Sequence, residues 1–149
     1  NLDVKKDYRS KKPASELSFP LYICEKEGEN IYVIPVAGSG LWGPIWGFVA
    51  LESDMKTIYG AKFDHKTETP GLGAEIKDDF FSDKFKGQKL RDASPYFTIL
   101  KGGRKIEDMH SVDGITGGTI TSVGVGEMID RTISIYQYYF ESVTNSSEQ

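Results

Sequence analysis

A stripe of apolar residues at helical spacing runs through the last part of the chain. Val125, Met128, Ile129, Thr132, Ile133, Tyr136, Tyr139, Phe140 and Val143 fall on one face at the 3.6-residue period of an α-helix. A helix of this kind is stable only with its stripe buried, so it predicts an element that closes the core. The run before it, DGITGGTITSVGVG from Asp113 to Gly126, interleaves glycine with threonine and serine. Glycine tolerates φ > 0 and lets the backbone approach a ligand closely. A helix starting after such a run turns its unpaired N–H groups and its positive dipole end toward it. Together they predict a seat for a phosphate-bearing group, with the N–H groups of Thr121 to Gly124 facing it and Ser122 as N-cap. The spacing is neither a P-loop, which would end in Gly-Lys-Ser/Thr, nor a GxGxxG dinucleotide fingerprint.

Upstream, the hydrophobic period changes from helical to alternating. Ile31–Val36, Ile45–Leu51 and Thr57–Phe63 read as three strands, with turn chemistry at Gly28–Asn30 and Glu52–Lys56 that suits antiparallel neighbours. The link PVAGSGLWGP is too rich in Gly and Pro for a tight hairpin and predicts a shaped loop. From Gly73 to Lys86, Ala74, Ile76, Phe80, Phe81 and Phe85 recur near helical spacing with Gly87 as a stop, predicting a short helix. Tyr96–Leu100 reads as a fourth strand, followed by a Gly-rich turn at Lys101–Arg104. The fold class is therefore α+β, a mostly antiparallel sheet with packed helices.

A chain of 149 residues suits one domain, burying roughly 68–70% of its unfolded surface without a metal or disulfide. The organisation expected is a polar lead-in over residues 1–20, a single domain over 21–143 and a frayed tail over 144–149. A net charge of −4 with no basic, aromatic-interleaved stripe argues against nucleic acid. Cys24, the single cysteine, has no reactive setting, and His65 and His110 read as isolated surface residues. No metal-ligand spacing, nucleophilic triad or carboxylate pair is present. No apolar run of about 18 residues occurs, so no segment reads as a membrane-spanning helix.

The order Asp113, two residues, Thr116, Gly117, Gly118, Thr119 resembles the flavinylation motif Dxx(S/T)GA(T/S). In that motif a flavin transferase joins FMN through its phosphate to the last hydroxyl. GLWGPIWGFVALESD from Gly40 and ETPGLGAEI from Glu68 sharpen the match. From about Leu21 to Phe140 the chain resembles the C subunits of sodium-translocating NADH:quinone reductases, whose relatives in Rnf-type complexes share an FMN-binding domain. One departure is Gly118 where the motif usually has Ala, and the absent methyl group should ease backbone approach.

The resemblance implies covalent FMN on Thr119, with Thr121 a competing acceptor. It implies cofactor contacts from Thr116, Gly117, Gly118, Ile120 and Thr121, from Glu68, Thr69, Gly71 and Leu72, and from Leu41 and Trp42. On the residues alone Glu68–Gly73 is a helix-entry turn, in which Pro70 fixes φ and Leu72 offers an apolar cover. Trp42 and Trp46 are candidates for stacking on a ring, with packing favoured for Trp46. Asp113 is either a transferase-recognition residue, with its magnesium, or an Asx-turn residue. By the same resemblance the function is an electron relay in a membrane complex that passes electrons from NADH to quinone and exports sodium. The partners are the other subunits and, during maturation, the transferase. The location is the periplasmic side of a bacterial inner membrane, behind an N-terminal anchor preceding residue 1, where Lys5, Lys6, Arg9, Lys11 and Lys12 would meet headgroups or solvent. An Rnf-type or free-standing extracytoplasmic flavoprotein and a nonredox phosphate-ligand domain are the alternatives.

Overall fold

The computed structural model describes residues 21–101 and 109–147, with side chains as far as residue 137. The lead-in and its lysine cluster, most of the turn at Lys101–Arg104, and the positions Tyr139, Phe140 and Val143 lie outside those limits. Four strands form one antiparallel sheet in sequential order: β1 (Tyr22–Lys26), β2 (Glu29–Ser39), β3 (Pro44–Leu51) and β4 (Ile58–His65). Two short strands, β5 (Thr98–Leu100) and β6 (Ser111–Asp113), pair in parallel. Helix α1 (Asp79–Ser82) lies between the sheets in sequence, and α2 (Thr119–Ser147) follows them, continuing into the stretch expected as a tail.

The three expected strands form β2, β3 and β4, but the limits shift. β1 escapes sequence reading because all five of its residues are exposed, which leaves no alternation to detect. It joins β2 through Glu27 and Gly28, both at positive φ (54° and 83°), the geometry of a two-residue hairpin. β2 runs on to Ser39 and shrinks the shaped loop to Gly40–Gly43, closed by the Gly40 N–H on the Gly43 carbonyl at 2.8 Å. Pro35 is tolerated because β2 has there run past its pairing with β1, which ends at Val33. Asp54 organises the β3–β4 turn, its carboxylate accepting the N–H groups of Lys56 and Thr57.

The helix expected over Gly73–Lys86 is broken. A 3-10 turn at Gly73–Lys77 is followed by α1 and a second 3-10 turn at Asp83–Phe85. Between the first two, Asp78 is extended (φ −77°, ψ 147°), and its carbonyl accepts the N–H groups of Phe81 and Ser82. Asp favours such flanking positions over helix interiors. The phenylalanine spacing still serves the core: Phe81 and Phe85 are fully buried and pack with Phe63 at centroid distances of 5.8 and 5.1 Å, while Phe80 is exposed.

α2 begins at Thr119, about one turn before the start that Ser122 as N-cap implies. Gly124 and Gly126 look like loop residues by propensity, yet each marks a close approach of the helix to a strand, β2 for Gly124 and β5 for Gly126. A Cβ on Gly124 would lie 2.4 Å from the Ser39 carbonyl oxygen, and one on Gly126 would lie 3.0 Å from Ile99 Cγ1. Val125, Met128, Ile129 and Ile133 are fully buried beneath the sheet, each worth about 1.5–3 kcal/mol relative to exposure.

Candidate functional site

The turn from β6 into α2 is shaped by its backbone. Gly114 N–H bonds the Leu100 carbonyl (2.7 Å), Gly118 N–H bonds the Ile115 carbonyl (2.9 Å), and Gly117 is left-handed at φ 80°. The first bond of the helix runs from Ser122 N–H to the Gly118 carbonyl at 2.9 Å. The helix N–H groups not used within its own first turn therefore belong to Thr119, Ile120 and Thr121. This corrects the expected donor set of Thr121 to Gly124. Ser122 is likewise not the N-cap. Its buried hydroxyl accepts the Ile115 N–H (2.9 Å) and donates to the Gly118 carbonyl (2.8 Å), stapling the turn to the helix from inside.

A second loop, from Lys66 to Gly73, lies against this helix start. Lys66 N–H bonds the Pro44 carbonyl, and the Thr67 hydroxyl donates to the Trp42 carbonyl at 3.1 Å, tying the loop to Gly40–Gly43. Gly71 at φ 76° makes the bend, and the Leu72 and Ala74 N–H groups both bond the Thr69 carbonyl at 3.1 Å. Where the loop meets the turn, a Cβ on Gly118 would sit 3.2 Å from Gly73 N, from the Leu72 carbonyl carbon and from Ile115 Cγ2. The glycine standing at the motif's usual alanine thus permits this tight contact.

Glu68 joins all three segments. It is 4% exposed. Its carboxylate accepts the Leu41 N–H on Oε1 and the Trp42 N–H on Oε2, both at 2.8 Å, and the hydroxyl of Thr121 on Oε1. Burial by itself pushes this carboxyl upward, but the Thr121 hydroxyl and the Trp42 and Leu41 N–H groups outweigh it, holding the group below the ordinary glutamate range. His65 supports the arrangement by accepting the Glu68 N–H on Nδ1 at 3.2 Å. It is half-buried, and so is His110, whose Nδ1 lies 2.7 Å from the Lys89 carbonyl oxygen; neither is the isolated surface residue expected.

The three segments enclose an open cleft of about 390 Å³, within the roughly 300–1,000 Å³ of small-molecule sites. Leu41 and Trp42 form one wall, Glu68, Thr69, Leu72 and Gly73 the other, and Gly117, Gly118, Thr119, Ile120 and Thr121 the base. The rim is apolar and open to solvent: Trp42 is 66% exposed and Ile120 59%, with Leu41 and Leu72 also exposed. A contiguous exposed apolar rim is the informative kind of surface. The two candidate hydroxyls differ sharply. Thr119 is half-buried at the cleft, whereas Thr121 is 2% exposed and its hydroxyl is committed to Glu68.

Four expected residues stand apart. Thr116 and Gly71 are exposed beside the cleft without lining it. Asp113 ends β6 and pairs with Lys84 at 2.9 Å, and the Lys84 ammonium also lies over the Phe80 ring. Trp46 is half-buried on β3, away from the lining. Sequence reasoning missed the parts played by His65 and Lys84, which no local pattern signals. Gly73, the last residue of the expected Glu68–Gly73 turn, lies against Thr121.

A family model described as the FMN-binding domain matches residues 40–134. The C subunit of the Na(+)-translocating NADH-quinone reductase of Vibrio vulnificus is 39% identical over 109 residues, which is 70% of this chain and 43% of that protein. The corresponding protein of Chlamydia trachomatis is 34% identical over 131 residues, covering 76% of this chain and 42% of its own. The chain therefore spans less than half the length of these curated relatives. Two solved structures share the fold. The C subunit from Parabacteroides distasonis has a TM-score of 0.76 at 42% identity, covering 87% of this chain and 65% of its own. NqrC from Shewanella oneidensis has a TM-score of 0.79 at 29% identity, covering 91% and 67%.

Proposed function

The chain belongs to the FMN-binding domain family, and from that premise we propose that it carries FMN, joined through its phosphate to Thr119, as the electron-relay domain of the C subunit in a sodium-translocating NADH:quinone reductase. The observation that carries the reading is the contrast between the two threonines: Thr119 opens on the cleft while Thr121 is buried and bonded to Glu68.

The residues present fit such a group. Glycine at 117 and 118 leaves the backbone bare where a Cβ would meet Leu72 Cδ2 at 2.7 Å or Gly73 N at 3.2 Å. The first-turn N–H groups of α2 suit a phosphate, whose charge the helix dipole favours. Leu41, Trp42 and Leu72 offer apolar walls to a planar ring. When bound, FMN supplies reversible electron uptake, and the protein supplies position and electrostatics. The cleft's openness would leave an edge of a bound ring at the surface, where a redox centre of a neighbouring protein could approach. Among the described residues no helix is long and apolar enough to cross a membrane. The membrane complex, its sodium transport, an N-terminal anchor and a periplasmic location belong to this proposal through the relatives named above.

The test is co-expression with a flavin transferase, followed by intact-mass analysis and peptide mapping. The expected result is a mass increase of one FMN less water on Thr119, absent in Thr119→Ala and retained in Thr121→Val. Flavin mapped to Thr121 overturns the site assignment.

A further inference from the structure

We propose that Glu68 is a fixed internal anion that lowers the reduction potential of a flavin held in the cleft, an inference that rests on the cleft being the flavin site.

The argument begins with position. Glu68 lines the cleft wall yet is almost wholly shielded from water. Its carboxylate is anchored from two sides, by the Leu41 and Trp42 N–H groups on one and the Thr121 hydroxyl on the other, so it cannot swing out to solvent without releasing all three donors. Those partners are neutral dipoles. Among the described residues no lysine or arginine nitrogen lies within ion-pairing distance of it, in contrast to Asp113, which has Lys84. The neighbouring His65 ring adds attraction to the carboxylate when it is charged, but no ion pair neutralises the carboxylate, and three neutral donors hold it as an anion. Charges shielded in this way are screened little by water or salt.

Such a charge opposes reduction next to it. Each electron delivered from an external reductant to a ring in the cleft, unless a proton follows, adds one negative charge beside Glu68, and no bond in the protein is made or broken. The same carboxylate also fixes the cleft's shape, so the two roles have to be separated by experiment. Glu68→Gln keeps the side chain's size and removes its charge. Thr121→Val cuts one tie of the carboxylate and keeps the charge.

The experiment is a spectroelectrochemical titration of the flavinylated protein and these two variants at neutral pH, with flavin content measured by intact mass in the same samples. The expected result is an upward shift of the midpoint potential in Glu68→Gln that persists in high salt, and no upward shift in Thr121→Val. An unshifted or lowered potential in Glu68→Gln, or an equal rise in both variants, overturns the proposal. Flavin content reports separately on attachment, so loss of modification and loss of tuning are distinguishable. Should Glu68→Gln not fold, carboxyl carbon NMR of the unmodified wild-type chain decides. Glu68 should remain ionised to below the ordinary glutamate range, and titration at or above that range overturns the proposal.

Discussion

Gly73 and Thr121 meet with no side chain between them: a Cβ on Gly73 would lie 2.4 Å from the Thr121 hydroxyl oxygen and 3.3 Å from Glu68 Oε1. The loop and the first turn of the last helix are thereby locked together at the back of the cleft, and the hydroxyl that would compete with Thr119 is turned inward. Gly73→Ala should therefore cost about 1–3 kcal/mol through overpacking and loosen the Glu68 contacts. Gly71→Ala is the control, since Gly71 faces open space and is constrained only by its φ of 76°; its cost of about 1–2 kcal/mol is conformational. Amide NMR separates the two, because the Leu41 and Trp42 N–H signals should move in Gly73→Ala and stay in Gly71→Ala.

Glu68 also gives stability a defined pH dependence. Its folded-state pKa is depressed below the ordinary value of 4.5. Its contribution is therefore fully present above the unfolded-state pKa and is lost as pH falls through the folded value. Urea denaturation of the wild type from neutral pH to about pH 3 should show declining stability over that acid limb. The decline should be shallower in Glu68→Gln. Parallel curves would mean that the three donors do not stabilise the ionised form in the folded state.

The parts of this fold legible in the sequence are those whose burial is one-sided. β2, β3, β4 and the stripe through Val125, Met128, Ile129 and Ile133 show a period because one face meets the core. β1 is exposed along its length and β6 has three residues, so neither carries a readable pattern. The start of α2 was hidden for a different reason: Gly124 and Gly126 obey contacts with Ser39 and Ile99 that lie far away in sequence, and tertiary packing overrides helix propensity there. The site shows the same division. The glycine-rich turn is readable locally, and the resemblance brought Leu41, Trp42 and Glu68–Leu72 to it. That Glu68 physically joins these segments depends on a hydrogen bond across 53 residues of chain, which no local pattern announces.

Flavin attachment should raise the melting temperature. The first-turn N–H groups of Thr119, Ile120 and Thr121 would meet the phosphate, and the apolar walls would cover the ring, both in the folded state alone. Calorimetry on flavinylated and unmodified protein from matched preparations tests this. Equal melting temperatures would show that phosphate and ring hang free of the domain, tethered only by the ester.

Leu72→Asp should separate attachment from docking. Leu72 is 43% exposed at the rim, so the substitution costs little core burial. Its Cδ2 nevertheless reaches to within 2.7 Å of where a Cβ on Gly117 would be, so the side chain overhangs the turn that presents Thr119. Since the ester forms at the phosphate end, beside Thr119, the transferase should still modify this variant, and its mass should match that of flavinylated wild type after allowing for the residue change. The ring, by contrast, would lose an apolar cover and gain a carboxylate at its edge. Its visible absorption should shift and its midpoint potential should fall, in the direction opposite to that expected for Glu68→Gln. A fully flavinylated Leu72→Asp protein with unchanged spectrum and potential would assign the Glu68–Gly73 loop a purely structural role and put the ring elsewhere.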